Sequence, residues 1–441
     1  MKENKSYYIE TFGCQMNIAD SEVVAAVLYD AGYSQVQQPE AADLVLLNTC
    51  AVRDNAEQRV WNKLQHFKGL KKKHKPLKIG ILGCMAQRVG NGFEQSKVVD
   101  FIAGPDSYRN LPELIKQTSS EAFASALELS RTETYEALLP RRIDQSKLSG
   151  FVSITRGCNN FCSYCIVPYT RGRERSRNPG DVLNEIDDLQ QKGYKEITLL
   201  GQNVNSYHQE EDGQSTGFTG LLTSIATQFP KLRIRFTTSH PKDISDALIE
   251  TIAGHSNICN HIHLPVQSGS NDVLKIMNRG YTREWYLDRI HKIKTVIPGC
   301  GLSTDVFAGF PGETEADHKA SMSLMQQVKF DSAFMFRYSE RPGTYAAKHL
   351  KDDVPEETKI RRLNELITLQ NQLSLESNKN VTGKHFDILI EGKSKRSDKD
   401  VFGRTETNKL VIVPDNNYKP GNIIKVIIGS YTSATLFGKA I

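Results

Sequence analysis

Eight cysteines in 441 residues are too few and too unevenly spaced for a disulfide scaffold, and six of them fall into two groups. Cys158, Cys162 and Cys165 form C-x3-C-x2-C within RGCNNFCSYCIVPYTRGR. Three thiolates in one loop can each hold one iron of a [4Fe-4S] cube and leave the fourth iron open to a ligand that is not protein. A zinc ribbon asks instead for four ligands, commonly two separated C-x2-C pairs, and the sequence has no second pair. Cys14, Cys50 and Cys84 stand more than thirty residues apart, yet each ends an apolar run, in IETFGC, LVLLNTC and IGILGC. As ends of parallel strands they would meet at the carboxyl edge of one sheet, where open α/β sheets bind ligands, and would again be one thiolate short of closing a cube. Simple burial of small cysteines near strand ends is the other reading. Cys259 and Cys300 have no ligand-like spacing and read as buried structural residues.

The elements that must position these thiols follow from periodicity. From Tyr7 to Gly104 short apolar runs alternate with amphipathic segments, which predicts a small parallel α/β sheet over residues 1–118. Residues 119–149 are polar, with Ser119-Ser120 and Arg141-Arg142, and read as a connector; the KKKHK run Lys71–Lys75 reads as an exposed loop. A second alternation runs through FVSITRG, EITLLGQN, RIRFTTS, HIHLPVQ, GLSTDVFAG and FDSAFMFRY. Six strands over about 190 residues predict a partial (β/α)6 barrel, which with a trailing helix after Pro355 fills residues 150–381. Beyond Val381 the period becomes two, so residues 382–441 are expected to form a small all-β module.

Composition narrows the function classes. Apolar content of 39% and charged content of 24% describe a globular protein and exclude collagen and disordered chains. The net charge of +5 is concentrated: residues 382–441 hold eight Lys and two Arg against six acidic residues, a local +4. Concentrated cations on a small β-module suit phosphate neutralisation in nucleic acid, with an ordinary solvated surface as the bland alternative. The N-terminus has no apolar signal region and no stretch nears the ~18 apolar residues of a membrane span, so a cytoplasmic protein without membrane contact is expected. There is no G-x4-G-K-[ST], H-E-x-x-H or G-x-S-x-G motif.

The C-x3-C-x2-C loop after a barrel strand, with Tyr164 before its last cysteine, resembles the radical S-adenosylmethionine enzymes. Together with ETFGCQMN, NTCAVRDNAEQRV, GCMAQR, LGQNVNSY, HLPVQSGS, MNRGYTRE, DVFAGFPGETE and FRYSERPGT, the chain from residue 7 to 441 resembles the MiaB-type methylthiotransferases. The resemblance implies an N-terminal methylthiotransferase domain, a radical S-adenosylmethionine barrel and a C-terminal TRAM domain. Gln15-Met16-Asn17 resembles the branch that acts on isopentenyladenosine in tRNA; threonylcarbamoyladenosine or a ribosomal-protein side chain are the other substrates of such enzymes.

That resemblance implies methylthiolation of C2 of N6-isopentenyladenosine beside the anticodon. The C2–H bond is unactivated, so no side-chain acid or base can remove the hydrogen and a cofactor radical must. The implied cofactors are S-adenosyl-L-methionine and two [4Fe-4S] clusters, one on Cys158, Cys162 and Cys165 and an auxiliary one on Cys14, Cys50 and Cys84. By analogy to the barrels of such enzymes, Tyr164, Gly201, Gln202, Asn203, Gln267, Ser268, Gly309, Phe310, Pro311, Gly312 and Glu313 are expected to line the cofactor pocket, with backbone turning as the alternative for each. Arg171, Arg173, Arg175 and Arg177 suit phosphate or cofactor-carboxylate contact, or a solvated strand edge. The expected partners are a tRNA anticodon stem-loop, an electron donor such as a flavodoxin-type protein, and a sulfur source. A non-catalytic iron-sulfur redox sensor or a zinc-stabilised protein that binds RNA are readings of another class.

Overall fold

The computed structural model describes residues 5–51, 54–73, 76–118, 123–144, 146–211 and 213–441. The N-terminal part is an all-parallel sheet of β1 (Lys5–Phe12), β2 (Tyr33–Gln35), β3 (Leu44–Thr49), β4 (Lys78–Gly83), β5 (Phe101–Ala103) and β6 (Ala124–Ala126), in the order β2-β1-β3-β4-β5-β6. Every residue of β3 is buried, as expected of a central strand covered on both faces. Leu44 and Leu46 pack on one side, with helix Gln15–Asp30, and Val45 and Leu47 on the other, with Val60, Leu64 and Phe67 of helix Asp54–Lys73. β6 comes from the stretch expected to be a mere connector: it pairs with β5, Phe101 opposite Ala124. A three-residue edge strand is too short to register as periodicity. The run expected to be a loop at Lys71–Lys75 begins instead as the last helical turn, Lys71 to Lys73, where cations suit the helix dipole and Lys71 pairs with Asp100 at 2.6 Å. His74, Lys75, Ser119 and Ser120 lie outside the described residues.

The central part is the expected partial barrel. β7 (Ser149–Ser153), β10 (Glu196–Leu200) and β13 (Arg233–Thr237) form one parallel sheet; β14 (His261–His263), β15 (Gly301–Ala308) and β16 (Ser332–Arg337) form a second, joined to the first by a bridge between Ile234 and Ile258. Helices cover the outside and share one apolar core with the strands. Two small ribbons, β8 (Thr155–Arg156) with β9 (Arg175–Ser176) and β11 (His208–Glu211) with β12 (Gln214–Gly217), lie in the connections. Helix Glu356–Lys379 packs along β15 and β16.

The C-terminal part is a closed antiparallel-dominated barrel of β17 (His385–Ser394), β18 (Ser397–Arg404), β19 (Leu410–Pro414), β21 (Leu436–Ala440) and β20 (Ile423–Tyr431). Its alternating residues Ile388, Ile390, Val411, Val413, Val426 and Ile428 fill the interior. It docks on the larger barrel through Arg235, which donates to the carbonyls of Thr405 and Glu406, and through a Lys409–Asp331 pair at 2.6 Å. Among the described residues no helix is long and apolar enough to cross a membrane.

Candidate active site

Register brings the first triplet together. Phe12 pairs with Thr49, and Thr49 with Gly83, so the segments just beyond, carrying Cys14, Cys50 and Cys84, leave the sheet side by side at its carboxyl edge. Gly13 allows the approach: a Cβ there would sit 2.7 Å from the Cys50 Cβ, and its φ is +146°. Buried Asn17 and Asn48 lock the edge, Asn17 donating to Asn48 Oδ1 at 3.2 Å and Asn48 to the Asn17 carbonyl at 2.9 Å. The Cys14 thiol, on a residue exposed to solvent, is held down to about 6, foremost by hydrogen bonding with Cys50, against desolvation and with help from the Arg171 charge. Burial pushes Cys84 up, against the pull of Arg171.

The second triplet sits in the loop after β8. Gly157, at φ +77°, opens it where a Cβ would lie 2.1 Å from the Arg173 carbonyl oxygen. The segment Met277 to Arg279 clamps it: Ser163 N donates to the Met277 carbonyl at 3.0 Å, and Asn278 Nδ2 to the Phe161 carbonyl at 3.1 Å. Cys158 and Cys162 are buried and Cys165 is half-buried. Burial pushes the Cys158 thiol up to about 11 and that of Cys165 higher still, with the charge of Cys162 adding to both. Burial of this kind keeps such thiols protonated until a bound cation replaces the proton, which suits iron ligation. Among the described residues no three His, Cys, Asp or Glu side chains converge as on a single metal ion; a cube asks for something else, one thiolate per separate iron.

The segments that carry the two triplets meet. Cys84 packs with Ala51 and with Ile166, the residue after Cys165, and helix Cys84–Val89 lies against helix Val167–Arg171. A buried ionic chain pins the interface: Asp20 accepts from Arg156 at 2.8 Å and from Arg171 at 2.7 Å, and Asp106 from Arg175 at 2.9 Å. Arg177 and Arg142 share Glu185, at 2.5 and 2.6 Å. This corrects the reading of the alternating arginines as phosphate or cofactor ligands: Arg171, Arg175 and Arg177 are consumed by buried carboxylates, and only Arg173 is exposed, stacked 4.4 Å over Phe161.

The predicted pocket segments do gather at the strand ends, in several roles. Buried polar atoms without a partner among the described residues mark the carboxyl ends of four consecutive barrel strands: Ser153 Oγ and Thr155 Oγ1, Gln202 Oε1, Ser239 Oγ and His240 Nε2, and Gln267 Oε1. A built-in shortage of hydrogen bonds of this kind fits a polar ligand such as the methionine and nucleoside groups of S-adenosylmethionine. Gln202 and Gln267 each leave a side-chain oxygen without a partner among the described residues, Gln267 from a left-handed φ of +71°. Gly201 supplies space, a Cβ there falling 1.9 Å from Thr155 Oγ1. Asn203 is occupied, donating to Asp243 at 2.7 Å and accepting from His240 N at 3.1 Å, and the Ser268 hydroxyl meets Ser321 at 3.3 Å. The Gly309-to-Glu313 turn is locked by Glu313, which accepts from Gly309 N at 3.0 Å and pairs with Arg362 at 2.8 Å. Phe310 is buried between Tyr164 and Tyr338, at 6.3 and 5.0 Å; Pro311 is buried, and Gly312 N donates to Asp353 at 2.7 Å. His240 escaped the sequence reading, since a lone histidine carries no spacing signal. Burial and the Arg279 charge push it down to about 2; its Nδ1 accepts from Lys242 N at 3.3 Å, so the neutral ring presents Nε2–H.

Residues 6–104 match the uncharacterized protein family UPF0004, residues 152–325 the Radical SAM superfamily and residues 379–441 the TRAM domain. The fold resembles that of the radical S-adenosylmethionine methyltransferase TsrM from Kitasatospora setae with cobalamin and [4Fe-4S] cluster bound, at TM-score 0.60 and 14% identity over 78% of this chain and 77% of that one. It also resembles the cobalamin-dependent S-adenosylmethionine radical enzyme OxsB, at TM-score 0.55 and 13% identity over 83% of this chain and 56% of that one. Fold and site thus define a radical S-adenosylmethionine enzyme with a TRAM module, a class that implies a [4Fe-4S] cluster and S-adenosylmethionine. Among curated proteins, tRNA-2-methylthio-N(6)-dimethylallyladenosine synthase of Bacteroides fragilis is 57% identical over 100% of this chain and 96% of its own length. The like-named proteins of Phocaeicola vulgatus and Porphyromonas gingivalis are 56% and 54% identical over 100% of this chain and 96% of each relative. The chain belongs to the tRNA-2-methylthio-N(6)-dimethylallyladenosine synthase family.

Proposed function

We propose that this chain methylthiolates C2 of N6-isopentenyl(dimethylallyl)adenosine beside the tRNA anticodon, using two [4Fe-4S] clusters, on Cys158, Cys162 and Cys165 and on Cys14, Cys50 and Cys84. The observation that carries the reading is the shared buried cluster of Ala51, Cys84 and Ile166, which brings the segments bearing the two thiol triplets together. When bound, the clusters and S-adenosylmethionine supply the one-electron chemistry that an unactivated C–H bond demands and the sulfur that replaces the hydrogen. The chain's own part is positioning. Asn278 and Met277 hold the Cys158 loop, and the unpartnered Gln202, Ser239, His240 and Gln267 offer donors and acceptors to the nucleoside and methionine groups.

The open edge of the barrel supports the substrate assignment. β16 has no partner beyond it among the described residues and leaves Phe334 and Phe336 exposed, with Phe336 6.3 Å from Phe307 and Phe307 5.0 Å from Tyr164. This aromatic path from the cluster loop to solvent suits a purine with an apolar isopentenyl arm, taken out of its stack at a cost of a few kcal/mol. In this division of labour residues 1–118 carry the sulfur chemistry, 150–381 the radical chemistry and 382–441 the RNA. An external one-electron donor of flavodoxin type and a sulfur source complete the reaction.

Anaerobic reconstitution of wild type and a Cys14→Ala, Cys50→Ala, Cys84→Ala variant tests this. Wild type should load two clusters and the variant one, with S-adenosylmethionine cleavage retained and methylthiolation lost. Product formation at the wild-type rate by the variant would overturn the proposal.

A further inference from the structure

Six arginines of the described chain are almost wholly buried: Arg156, Arg171, Arg175, Arg177, Arg279 and Arg362. Five of them meet a carboxylate within 2.9 Å: Asp20, Asp20, Asp106, Glu185 and Glu313 in turn. Arg279, only 5% exposed, is the exception. Its Nε donates to Tyr281 Oη at 3.0 Å, its Nη2 to the Pro265 carbonyl at 3.2 Å, and its Nη1 to Tyr164 Oη at 3.3 Å and to Cys162 Sγ at 3.1 Å. None of these oxygens carries charge at neutral pH, and no carboxylate pairs with Arg279 among the described residues. A buried guanidinium without an anion is among the costliest arrangements a protein can keep. Of these partners only the Cys162 sulfur is of the type that ligates iron as an anion.

We propose that Arg279 is the counter-ion and positioning residue of the Cys158–Cys162–Cys165 site, donating through Nη1–H to the Cys162 sulfur. The proposal rests on the reading that these thiolates hold a [4Fe-4S] cluster. The guanidinium takes no part in bond making; it changes the energy of the one-electron reduction that an external donor performs. Positive charge and a hydrogen bond at a ligand sulfur favour the reduced, more negative cluster and raise its potential. The forked planar donor also fixes Cys162 relative to Tyr164, both held from the same Arg279 nitrogen, while Met277 and Asn278 two residues or fewer away hold the loop backbone.

The test uses the full chain with Cys14, Cys50 and Cys84 changed to Ala, so that this site alone can load, and compares Arg279 with Arg279→Gln and Arg279→Lys. Iron and acid-labile sulfide are measured first: absence of any [4Fe-4S] cluster in the Arg279 parent would sink the cysteine assignment itself, separately from the role of Arg279. With the clusters loaded, a redox titration followed by electron paramagnetic resonance reads the midpoint. At the parent's midpoint Arg279→Gln should show a reduced-to-oxidised ratio at least tenfold lower, a shift of about 59 mV to more negative potential for one electron, and Arg279→Lys should recover part of it. Equal midpoints in parent and Arg279→Gln would overturn the proposal, as would a change confined to S-adenosylmethionine affinity. If Arg279→Gln fails to load, Arg279→Lys decides alone: a negative shift supports the role and a parental midpoint rejects it.

Discussion

Cys14 and Cys158 show how differently two ligand-type thiols can be set by their surroundings. Cys14 opens a helix beside Cys50 and Arg171 and is held down to about 6, whereas burial pushes Cys158 up to about 11. A lowered thiol pKa means that thiolate prevails above it, so in metal-free reduced protein Cys14 should react with iodoacetamide at a rate that rises through pH 6 and levels by neutral pH. Cys158 should stay slow until strongly alkaline pH. Peptide mass analysis of the labelled protein across pH reads both, and a Cys14 rate still climbing steeply at pH 8 would contradict the assignment. At this scale the six cysteines were legible from spacing and strand-end position. His240, Asp20 and Arg279 were not, because a single buried polar residue has no sequence signal apart from the partner it finds.

Among the elements, the cysteine loop depends on one close approach. Gly157 combines φ +77° with a would-be Cβ 2.1 Å from the Arg173 carbonyl oxygen, so Gly157→Ala must displace backbone, a strain of about 1–3 kcal/mol. The expected outcome is loss of iron from the Cys158 site with the N-terminal site still loading, read by iron and sulfide analysis against the cysteine variants. Full loading of both sites would mean that the loop tolerates the shift. The strands ending at Phe12, Thr49 and Gly83 were legible because each carries a short apolar run, Tyr7 to Ile9, Leu44 to Leu47 and Ile79 to Leu82. β6 was not, since Ala124–Ala126 is three small residues whose pairing with β5 is decided by the sheet.

Over the whole molecule, the small barrel is both a cationic surface and a structural neighbour. Because Arg235 and Asp331 are partnered by residues 405–409, deleting residues 382–441 would strip these half-buried groups of partners as well as remove cations. Exposed Lys393, Lys395, Arg396 and Lys399, around the turn between β17 and β18, allow a cleaner change. Their joint replacement by Ala should weaken tRNA binding and flatten its dependence on log salt by up to about 3–4, since each lost phosphate contact removes about 0.7–0.9. Filter binding over a salt series, with S-adenosylmethionine cleavage as the control, measures this; an unchanged slope would remove this face from the RNA interface.

Local patterning along the chain set out the three-part architecture, the grouping of the cysteines and the family. Those signals are local: a loop of eight residues from Cys158 to Cys165, runs that alternate or fill a strand, and a change of period beyond Val381. Only the tertiary structure decided which charges are spent on holding the parts together. Arg171 meets Asp20 across 151 residues and Arg156 meets it across 136, so arginines that read as ligands became struts. Arg279 reaches Cys162 across 117 residues and, among the described residues, pairs with no carboxylate. Burial makes every such pairing compulsory, and which partners are within reach is set by packing between distant segments, which no window along the chain contains.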